Sequence, residues 1–506
     1  MSLEAPPGPA APDGLPGSGM PPRRGRRWVL RRLVPLVLLG VVGGLGHAAV
    51  AGVAVHRAAL QIRHAATADD DRAPDQRREA NAAVTPILSR MNAALADRDA
   101  GAYLADMATD AALRARQAAT FRALGRLPIT RVEYSWQQAQ WSRPAGLAAR
   151  YGDPDALVAV VQRRYWLKGW DTSPTSELVA WTIAHRDGRW QIVGDSDGAG
   201  ALPSGAVPEP WTLGDVSVLT TRHVLLVGDR APGRQDDLRR LAERVEDAVG
   251  GVRAVWGAGA SGKTWNGRVV VYALTDERFV SPWFGQQAAD GKRNGAGDAA
   301  EFDAEVVPME ATAMTGVPAA LVPPRQTLAG MRMVIAPTVL DYSTAQARAV
   351  IRHELTHLAT LKVGDEAPAW LTEGIAEYTA YRVTSSSGRV DGVGALDRRG
   401  LPKQLWTALR RSSYHPDLVT AHDAFYAGTG LEVSRRYTDG WFAALYVADE
   451  FGEAKLRALV EAASDPSLPT VQAREAAALR TVLRTDRAAF EADVGTYARA
   501  LRRHFV

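Results

Sequence analysis

The sequence predicts an α+β protein with a single transmembrane helix near its N-terminus, a cone-like α+β domain after it, and a second α+β domain whose C-terminal part is mainly helical. Three observations support this fold class. Residues 33–55 contain no charged side chain. Other segments show apolar residues at helical spacing or in β-branched runs, and residues 195–210 are rich in Gly, Pro, Ser and Ala without apolar periodicity. At about 100–200 residues per domain, a chain of 506 residues holds two to four domains.

The composition limits the chemistry that the chain can perform. It carries 60 Lys and Arg against 56 Asp and Glu, and it has no cysteine. Without thiols, disulfide frameworks, thiolate zinc sites, iron–sulfur ligation and cysteine nucleophiles are excluded, so any metal must be held by His and carboxylate side chains. The net charge is only +4, and an arginine cluster lies before residue 33. We therefore expect no nucleic-acid partner.

The N-terminal part of the chain predicts a membrane anchor. We expect residues 1–32 to form a disordered, basic cytoplasmic tail, 33–55 a transmembrane helix and 56–78 a stalk. About 20 apolar residues cross the hydrocarbon core, and the arginines before them favour a cytoplasmic N-terminus. The alternative is a signal peptide cleaved at the small residues 48–51. The predicted localisation is therefore the cell membrane, single-pass, with the folded part extracytoplasmic.

Residues 79–198 predict an accessory domain of helices followed by an antiparallel sheet. Apolar residues recur at helical spacing up to residue 107, and strands are predicted at 129–136, 157–166, 177–185 and 190–193. The RDGR turn at 186–189 joins the last two strands and has Gly where a positive φ is needed. This order, with the closing segment HRDGRWQIVGD, resembles the nuclear-transport-factor-like cone fold. The resemblance implies a binding or spacing role for this domain.

A linker at 199–210 is predicted to separate the accessory domain from a second domain at 211–506. This domain is expected to begin with strands and one helix, at 216–219, 223–227, 236–249 (the helix) and 268–274. Between the helix and the last strand, GAGASGKT at 257–264 matches the phosphate-binding pattern G-x-x-x-x-G-K-[ST]. That loop requires a strand before it and a helix after it, and the order here is reversed. We therefore expect a Gly-rich turn and no nucleotide partner.

The helix predicted to follow the capping box at 343–346 carries the clearest chemistry. Within it, His353, Glu354 and His357 form the motif H-E-x-x-H. At 3.6 residues per turn the two imidazoles lie one turn apart on the same face, so both can bind one metal ion. The carboxylate of Glu354 lies beside them, where it can hydrogen-bond a water. The motif therefore predicts a metal site.

A second helix is predicted in PAWLTEGIAEY, with Glu373 and Glu377 one turn apart on one face. Together, H-E-x-x-H and W-L-x-E-G-x-A-E-Y, separated by a short loop, resemble the gluzincin metallopeptidases. The resemblance is close over residues 331–380 and looser over 211–506. It implies a zincin-like α+β peptidase fold for residues 211–506 and one Zn²⁺ per chain.

Carried over residue by residue, the resemblance implies His353 and His357 as zinc ligands, Glu354 as the general base and Glu373 as the third ligand. Glu377 falls where gluzincins often place an outer carboxylate that orients a zinc-bound His. The spacing between His357 and Glu373 is shorter than in the best-known aminopeptidase-type members. Glu377 is therefore the alternative third ligand.

The resemblance also implies a hydrogen-bond donor for the reaction oxyanion near the start of the helix in SRRYTDGWFAALYV. Tyr437 is the predicted catalytic donor, with Tyr446 and His422 as alternatives and a packing role as the non-catalytic reading of Tyr437. The resemblance further implies that the strand at 331–336 lies at the edge of a sheet, where an extended polypeptide can add as a further strand.

The sequence thus predicts a membrane-anchored zinc metallopeptidase, a hydrolase of polypeptide substrates. In the expected mechanism three protein ligands leave a zinc position open to water, Glu354 takes a proton from that water, and Tyr437 stabilises the oxyanion. Two alternatives are a non-catalytic, zinc-stabilised binding or scaffold protein and a zinc amide hydrolase that acts on a cell-wall or small-peptide substrate. The sequence does not indicate the oligomeric state.

Overall fold

The computed structural model describes residues 74–196, 202, 208–257, 265–280, 304–310, 328–364, 367–382 and 414–505. Several predicted features lie outside these residues: the cytoplasmic tail (1–32), the transmembrane helix (33–55), most of the stalk (56–73), most of the linker (199–201 and 203–207) and most of the Gly-rich loop (258–264).

The prediction of a membrane-spanning helix is corrected by the structure. Among residues 74–505, where they are described, every helix is too short or too polar to cross a bilayer, and residues 33–55 are not among them. Over the described residues the structure supports an α+β fold with a helical C-terminal part and contains no membrane-spanning helix, and the predicted fold class and single-pass localisation are corrected accordingly. The prediction rested on the length of a charge-free run and on the arginines before it, which a membrane span requires but which are not sufficient evidence for one.

The first region comprises residues 74–196. Its N-terminal part is helical, and its C-terminal part forms an antiparallel sheet with the strand order β1-β2-β3-β4. Each of the four strands contains one of the four ranges that the sequence predicts as strands. At the turn between the last two, Asp187 and Gly188 have positive φ values of 51° and 75°, as a tight hairpin requires. The elements are α1 (Pro74–Asp97), α2 (Ala100–Tyr103), α3 (Ala111–Arg126), β1 (Ile129–Ser142), α4 (Leu147–Tyr151), β2 (Leu157–Leu167), β3 (Thr175–Arg186) and β4 (Arg189–Gly194).

Helix α3 is not predicted by the sequence pattern. Its buried side includes the polar residues Gln117 and Thr120 and two alanines beside Leu113 and Leu124, so the apolar periodicity is interrupted. The helix is instead marked by its N-cap, because the carboxylate of Asp110 accepts a hydrogen bond from the Leu113 N–H at 2.6 Å.

The second region comprises residues 208–505, and its described residues form five strands and a helical C-terminal part. Its elements are α5 (Pro210–Leu213), β5 (Val216–Thr220), β6 (Val224–Asp229), α6 (Arg234–Trp256), β7 (Val269–Ala273), α7 (Glu277–Val280), β8 (Ala304–Glu310), β9 (Leu328–Ile335), α8 (Thr344–Gly364), α9 (Ala369–Tyr381), α10 (His422–Tyr426), α11 (Gly430–Phe451), α12 (Glu453–Ala463), α13 (Val471–Ala478) and α14 (Arg487–Phe505). The predicted strands and helix at 216–274 all correspond to elements of this list.

The strand order of the second sheet, β5-β6-β7-β9-β8, corrects the predicted edge. Strands β6, β7 and β9 are parallel, and β8 pairs antiparallel with β9. The predicted edge strand at 331–336 falls almost wholly within β9, which is interior, whereas β5 and β8 are the two edges among the described strands. The sequence of β8, AEVVPME, does not read as a strand because it contains Pro308 and two Glu. Proline is tolerated at an edge, where its missing N–H need not join the ladder.

The second sheet is buried on both faces. Alternate residues of its central strands pack against α6 and α8, namely Val224, Leu226, Val269, Val271 and Met333. The residues between them pack against the first region, and these are Leu225, Val227, Val270, Tyr272 and Val334. Their partners in the first region include Leu124, Tyr165 and Trp170. The first region therefore covers the sheet face opposite the H-E-x-x-H helix.

Charged side chains are buried at this contact between the two regions. Arg332 of β9 donates to both carboxylate oxygens of Asp171, at 2.6 and 3.1 Å, and to the Tyr272 hydroxyl at 3.0 Å. The side chains of Arg332 and Asp171 are 1% and 0% exposed. Because buried charges are costly unless they are paired, this bidentate pair fixes how the two regions meet.

Candidate metal centre

The N-terminal cap and the apolar side of helix α8 determine how the H-E-x-x-H motif is oriented. The predicted capping box is present: the Gln346 N–H donates to Ser343 Oγ at 3.3 Å, and the Ser343 N–H donates to Gln346 Oε1 at 3.2 Å. The apolar residues of the helix lie in the core below the second sheet: Ala347, Val350, Ile351, Leu355 and Leu358. Burial of this side fixes the rotation of the helix about its axis, and with it the direction of His353 and His357.

Helix α9 is held at its start by the segment before α10. The Ala369 N–H donates to the Thr420 carbonyl at 2.9 Å, and the Trp370 N–H donates to the Val419 carbonyl at 3.1 Å. These bonds satisfy two of the N–H groups that a helix N-terminus leaves without partners. The indole N–H of Trp370 also donates to the buried carboxylate of Glu475. The first turn of α9 is therefore fixed, and Glu373 follows one turn later.

The structure brings His353, His357 and Glu373 together. The Glu373 Oε2 atom lies 3.4 Å from His353 Nε2 and 3.7 Å from His357 Nε2, and one ligand atom from each residue falls within 4.8 Å of the others. At zinc distances of about 2.0–2.1 Å, two tetrahedral ligand atoms lie about 3.4 Å apart. The two distances from Glu373 are therefore close to those expected between a carboxylate and two histidines around a zinc ion.

These ligand atoms have no other role within the described structure. The three residues are at most 6% exposed, and His353 Nε2, His357 Nε2 and Glu373 Oε2 are buried without a hydrogen-bond partner among the described residues. Buried polar atoms are normally hydrogen-bonded, because leaving them without a partner costs free energy. A metal ion would satisfy all three, so the residues fit the group that the sequence implies.

The electrostatics of the cluster favour a cation. Burial lowers the pKa of His357 to about 3, which keeps this imidazole in the neutral form that binds metals. Burial alone would raise the pKa of Glu373, but His357, His353 and the Tyr426 hydroxyl outweigh it and lower the pKa, so this carboxylate is ionised. Burial also acts to lower the pKa of His353, yet contacts with Glu373 and Glu377 raise it well above its usual value. The carboxylates thus attract positive charge to this position.

Glu377 lies on the other side of the His353 ring from the ligand cluster. Its Oε1 atom is 3.0 Å from His353 Nδ1, the ring nitrogen that faces away from His357 and Glu373. Of the two possible third ligands, Glu373 is therefore the one whose carboxylate reaches both histidines at Nε2. A carboxylate on the second nitrogen of a ligand histidine fixes the ring orientation and the tautomer.

The other predicted site residues lie at different distances from the cluster. Glu354 is 4% exposed, and its charge contributes to raising the pKa of His353. The ring of Tyr437 lies 6.1 Å from that of His353, centroid to centroid, and its hydroxyl is buried without a hydrogen-bond partner among the described residues. Tyr446 is not part of the site, because its ring packs against Phe451, Phe490 and Tyr497.

Two side chains of α10 complete the surroundings. His422 is half-buried and close enough for its charge to act on His357. Tyr426, which the sequence pattern does not single out, donates its hydroxyl hydrogen to Glu373 Oε1 at 2.6 Å. Helix α10 has only five residues, too few for a periodic pattern to reveal it, and Tyr426 is separated from Glu373 by more than 50 positions. No sequence signal available before the structure would have identified this contact.

Gly374, the glycine of W-L-x-E-G, is required by the crossing of α9 and α11. A Cβ atom placed on Gly374 would lie 2.3 Å from the carbonyl oxygen of Gly440, and one placed on Gly440 would lie 2.5 Å from that of Trp370. The two helices therefore meet backbone to backbone. This contact sets the distance between Glu373 on α9 and Tyr437 on α11.

We expect Gly374→Ala to destabilise the fold by about 1–3 kcal/mol, because the added methyl group must push two backbones apart. The measurement is the free energy of unfolding in denaturant. Gly250→Ala in α6 is the matched control, since a Cβ there has no neighbour within 4 Å and Ala favours a helix interior over Gly. Equal stability of the Gly374 variant and the wild type would contradict the backbone contact.

Comparison with known proteins adds no family assignment: no protein-family model matches this chain, and no curated protein matches it. The resemblance to gluzincins therefore depends only on the motifs H-E-x-x-H and W-L-x-E-G-x-A-E-Y in the sequence.

Proposed function

We propose that this chain is a zinc-dependent metallopeptidase of the gluzincin type. The observation that carries the proposal is the buried convergence of His353 Nε2, His357 Nε2 and Glu373 Oε2, without hydrogen-bond partners in the described part of the chain. Two histidines and one carboxylate form a three-ligand set that leaves a fourth position open, as catalytic zinc sites do. Structural zinc sites, in contrast, are usually closed by four protein ligands.

The proposed reaction assigns separate roles to Glu354 and Tyr437. Bound zinc supplies a Lewis acid that lowers the pKa of a water and polarises a carbonyl oxygen. Glu354, next to His353 in the chain, accepts the proton of the attacking water and later delivers it to the leaving amine. Burial raises the pKa of Tyr437 well above its usual value, and the carboxylate of Glu373 raises it further. Tyr437 therefore keeps its proton and can donate a hydrogen bond to the oxyanion.

The proposed substrate is a polypeptide in extended conformation. Strand β8 is one of the two edges of the second sheet among the described strands, β5 being the other, and β8 contacts α8. An extended segment added alongside β8 would lie next to the helix that bears both histidines. Main-chain hydrogen bonds to an edge strand hold a peptide without regard to most of its side chains. The correction of the edge from β9 to β8 therefore moves the proposed binding strand but keeps the proposed substrate class.

The test measures zinc content and proteolysis on the same samples of the full chain. We expect one zinc per chain, cleavage of an unfolded protein such as casein, loss of cleavage after chelation and recovery when zinc is restored. Proteolysis that survives complete metal removal would contradict the proposal. Zinc binding without cleavage of proteins or peptides would refute the peptidase and favour a zinc-stabilised scaffold or a hydrolase of another amide.

A further inference from the structure

Tyr426 makes a specific contact with the proposed ligand Glu373. Its hydroxyl donates to Glu373 Oε1 at 2.6 Å, while the other oxygen of the same carboxylate, Oε2, lies 3.4 and 3.7 Å from the two histidine Nε2 atoms. The two oxygens of Glu373 therefore have different partners. One is bound to a neutral hydroxyl, and the other points to the place where a metal would lie.

The surroundings of Tyr426 hold its hydroxyl in this position. Its ring packs at 5.1 Å from the ring of Phe425 and at 6.4 Å from that of Tyr437, centroid to centroid. The backbone on either side of Tyr426 is held by Arg436 of α11, whose guanidinium donates to the carbonyl of Phe425 at 2.8 Å and also to that of Ala427. The position of Tyr426 is thus fixed by α11 as well as by its own short helix.

We propose that Tyr426 is a positioning residue for the metal ligand: its hydrogen bond to Oε1 fixes the rotation of the Glu373 carboxylate and keeps Oε2 directed at His353 and His357. The residue acts through Glu373 and does not touch the metal or the substrate. Without the hydroxyl, the carboxylate can rotate about its terminal bond, where the torsional barrier is low. The ligand set would then no longer be held in one geometry, and metal affinity would fall.

The first experiment compares Zn²⁺ affinity of the metal-free wild type and Tyr426→Phe by competition with a chelator of known affinity. We expect the variant to bind Zn²⁺ about 10–100-fold more weakly, the range found when an outer partner of a ligand is removed. Circular dichroism of the metal-free proteins checks that both are folded. Substitution with Co²⁺ gives a second readout, because its visible absorption spectrum changes when the ligand geometry changes.

Two further variants separate positioning from general packing. Tyr446→Phe removes a tyrosine hydroxyl from α11 far from the cluster, and we expect wild-type Zn²⁺ affinity. In a Glu373→Gln background, Tyr426→Phe should have little further effect on Zn²⁺ affinity, because the two residues act as a unit. An equal loss in both backgrounds would show that Tyr426 only supports the fold, and unchanged affinity in the wild-type background would refute the inference directly.

The inference rests on the metal site of the proposed function but not on peptide hydrolysis. If the wild type binds Zn²⁺ without cleaving peptides and Tyr426→Phe binds it more weakly, the peptidase proposal fails and the positioning role stands. If the wild type cleaves peptides and the two proteins bind Zn²⁺ equally, only the positioning role fails. A wild type that binds no Zn²⁺ overturns both.

Discussion

Replacing Glu354 by Gln is expected to lower kcat/KM for peptide hydrolysis by about 10²–10⁴-fold, the contribution of a positioned general base, while one zinc per chain is retained. Glutamine has nearly the shape of glutamate but cannot accept the proton of the attacking water. The ligand atoms of the proposed site belong to His353, His357 and Glu373, so the substitution leaves all three in place. The measurement pairs zinc content with steady-state kinetics on the same preparation.

The matched control for this variant is Glu243→Gln, the same chemical change at an exposed position of α6, which should leave both zinc content and kcat/KM unchanged. Loss of zinc from the Glu354 variant would show that the residue is part of the ligand set. Full activity with zinc bound would show that another group takes the proton, and the mechanism would have to be reassigned.

Replacing Asp171 by Asn is expected to destabilise the chain by about 3–5 kcal/mol, the usual effect of removing one partner of a buried ion pair. Asparagine keeps the shape of the side chain but removes its charge. The Arg332 guanidinium, whose side chain is 1% exposed, would keep a buried positive charge without its carboxylate. Because total stabilities of domains are about 5–15 kcal/mol, this loss is a large part of the whole. The measurement is denaturant unfolding followed by tryptophan fluorescence.

Two comparisons make the Asp171 result specific. Asp236→Asn removes the carboxylate of an exposed pair with Arg239, whose side chains are 73% and 60% exposed, and we expect little change because such pairs are solvated. The double variant Asp171→Asn with Arg332→Met should be more stable than Asp171→Asn alone, since it also removes the buried positive charge of Arg332. A single variant as stable as the wild type would contradict the structural role of the pair.

The sequence singles out the three residues that the structure brings together, although they lie on two helices. His353 and His357 are four positions apart on one helix, so helical geometry places them on the same face. Glu373 lies on the next helix along the chain, and in the sequence only the resemblance to gluzincins implies it as a ligand. The capping box at 343–346 is a local pattern, like the spacing of the two histidines. What the sequence does not indicate is which oxygen of Glu373 faces the histidines, because that depends on Tyr426, a residue of another element.

The long-range contacts of the fold escape prediction for a related reason. In MRMVIA, Arg332 alternates with two methionines, a pattern typical of a strand with one solvated face. That face is instead covered by the first region, where Asp171 lies 161 positions earlier in the chain and pairs with it. The sequence pattern does not predict strand β8, because its proline and charged residues are unusual in a strand except at the edge of a sheet. Periodicity does not reveal which strands lie at an edge.

The coverage of the second sheet on both faces has an evolutionary consequence. Leu225, Val227, Val270 and Val334 are core residues only while the first region lies over them. A recombination event that carried the H-E-x-x-H region alone into another protein would expose this apolar face, which favours aggregation. We therefore expect the two regions to be inherited as one unit, with substitutions at positions such as Tyr165 and Trp170 constrained by a sheet that belongs to the other half of the chain.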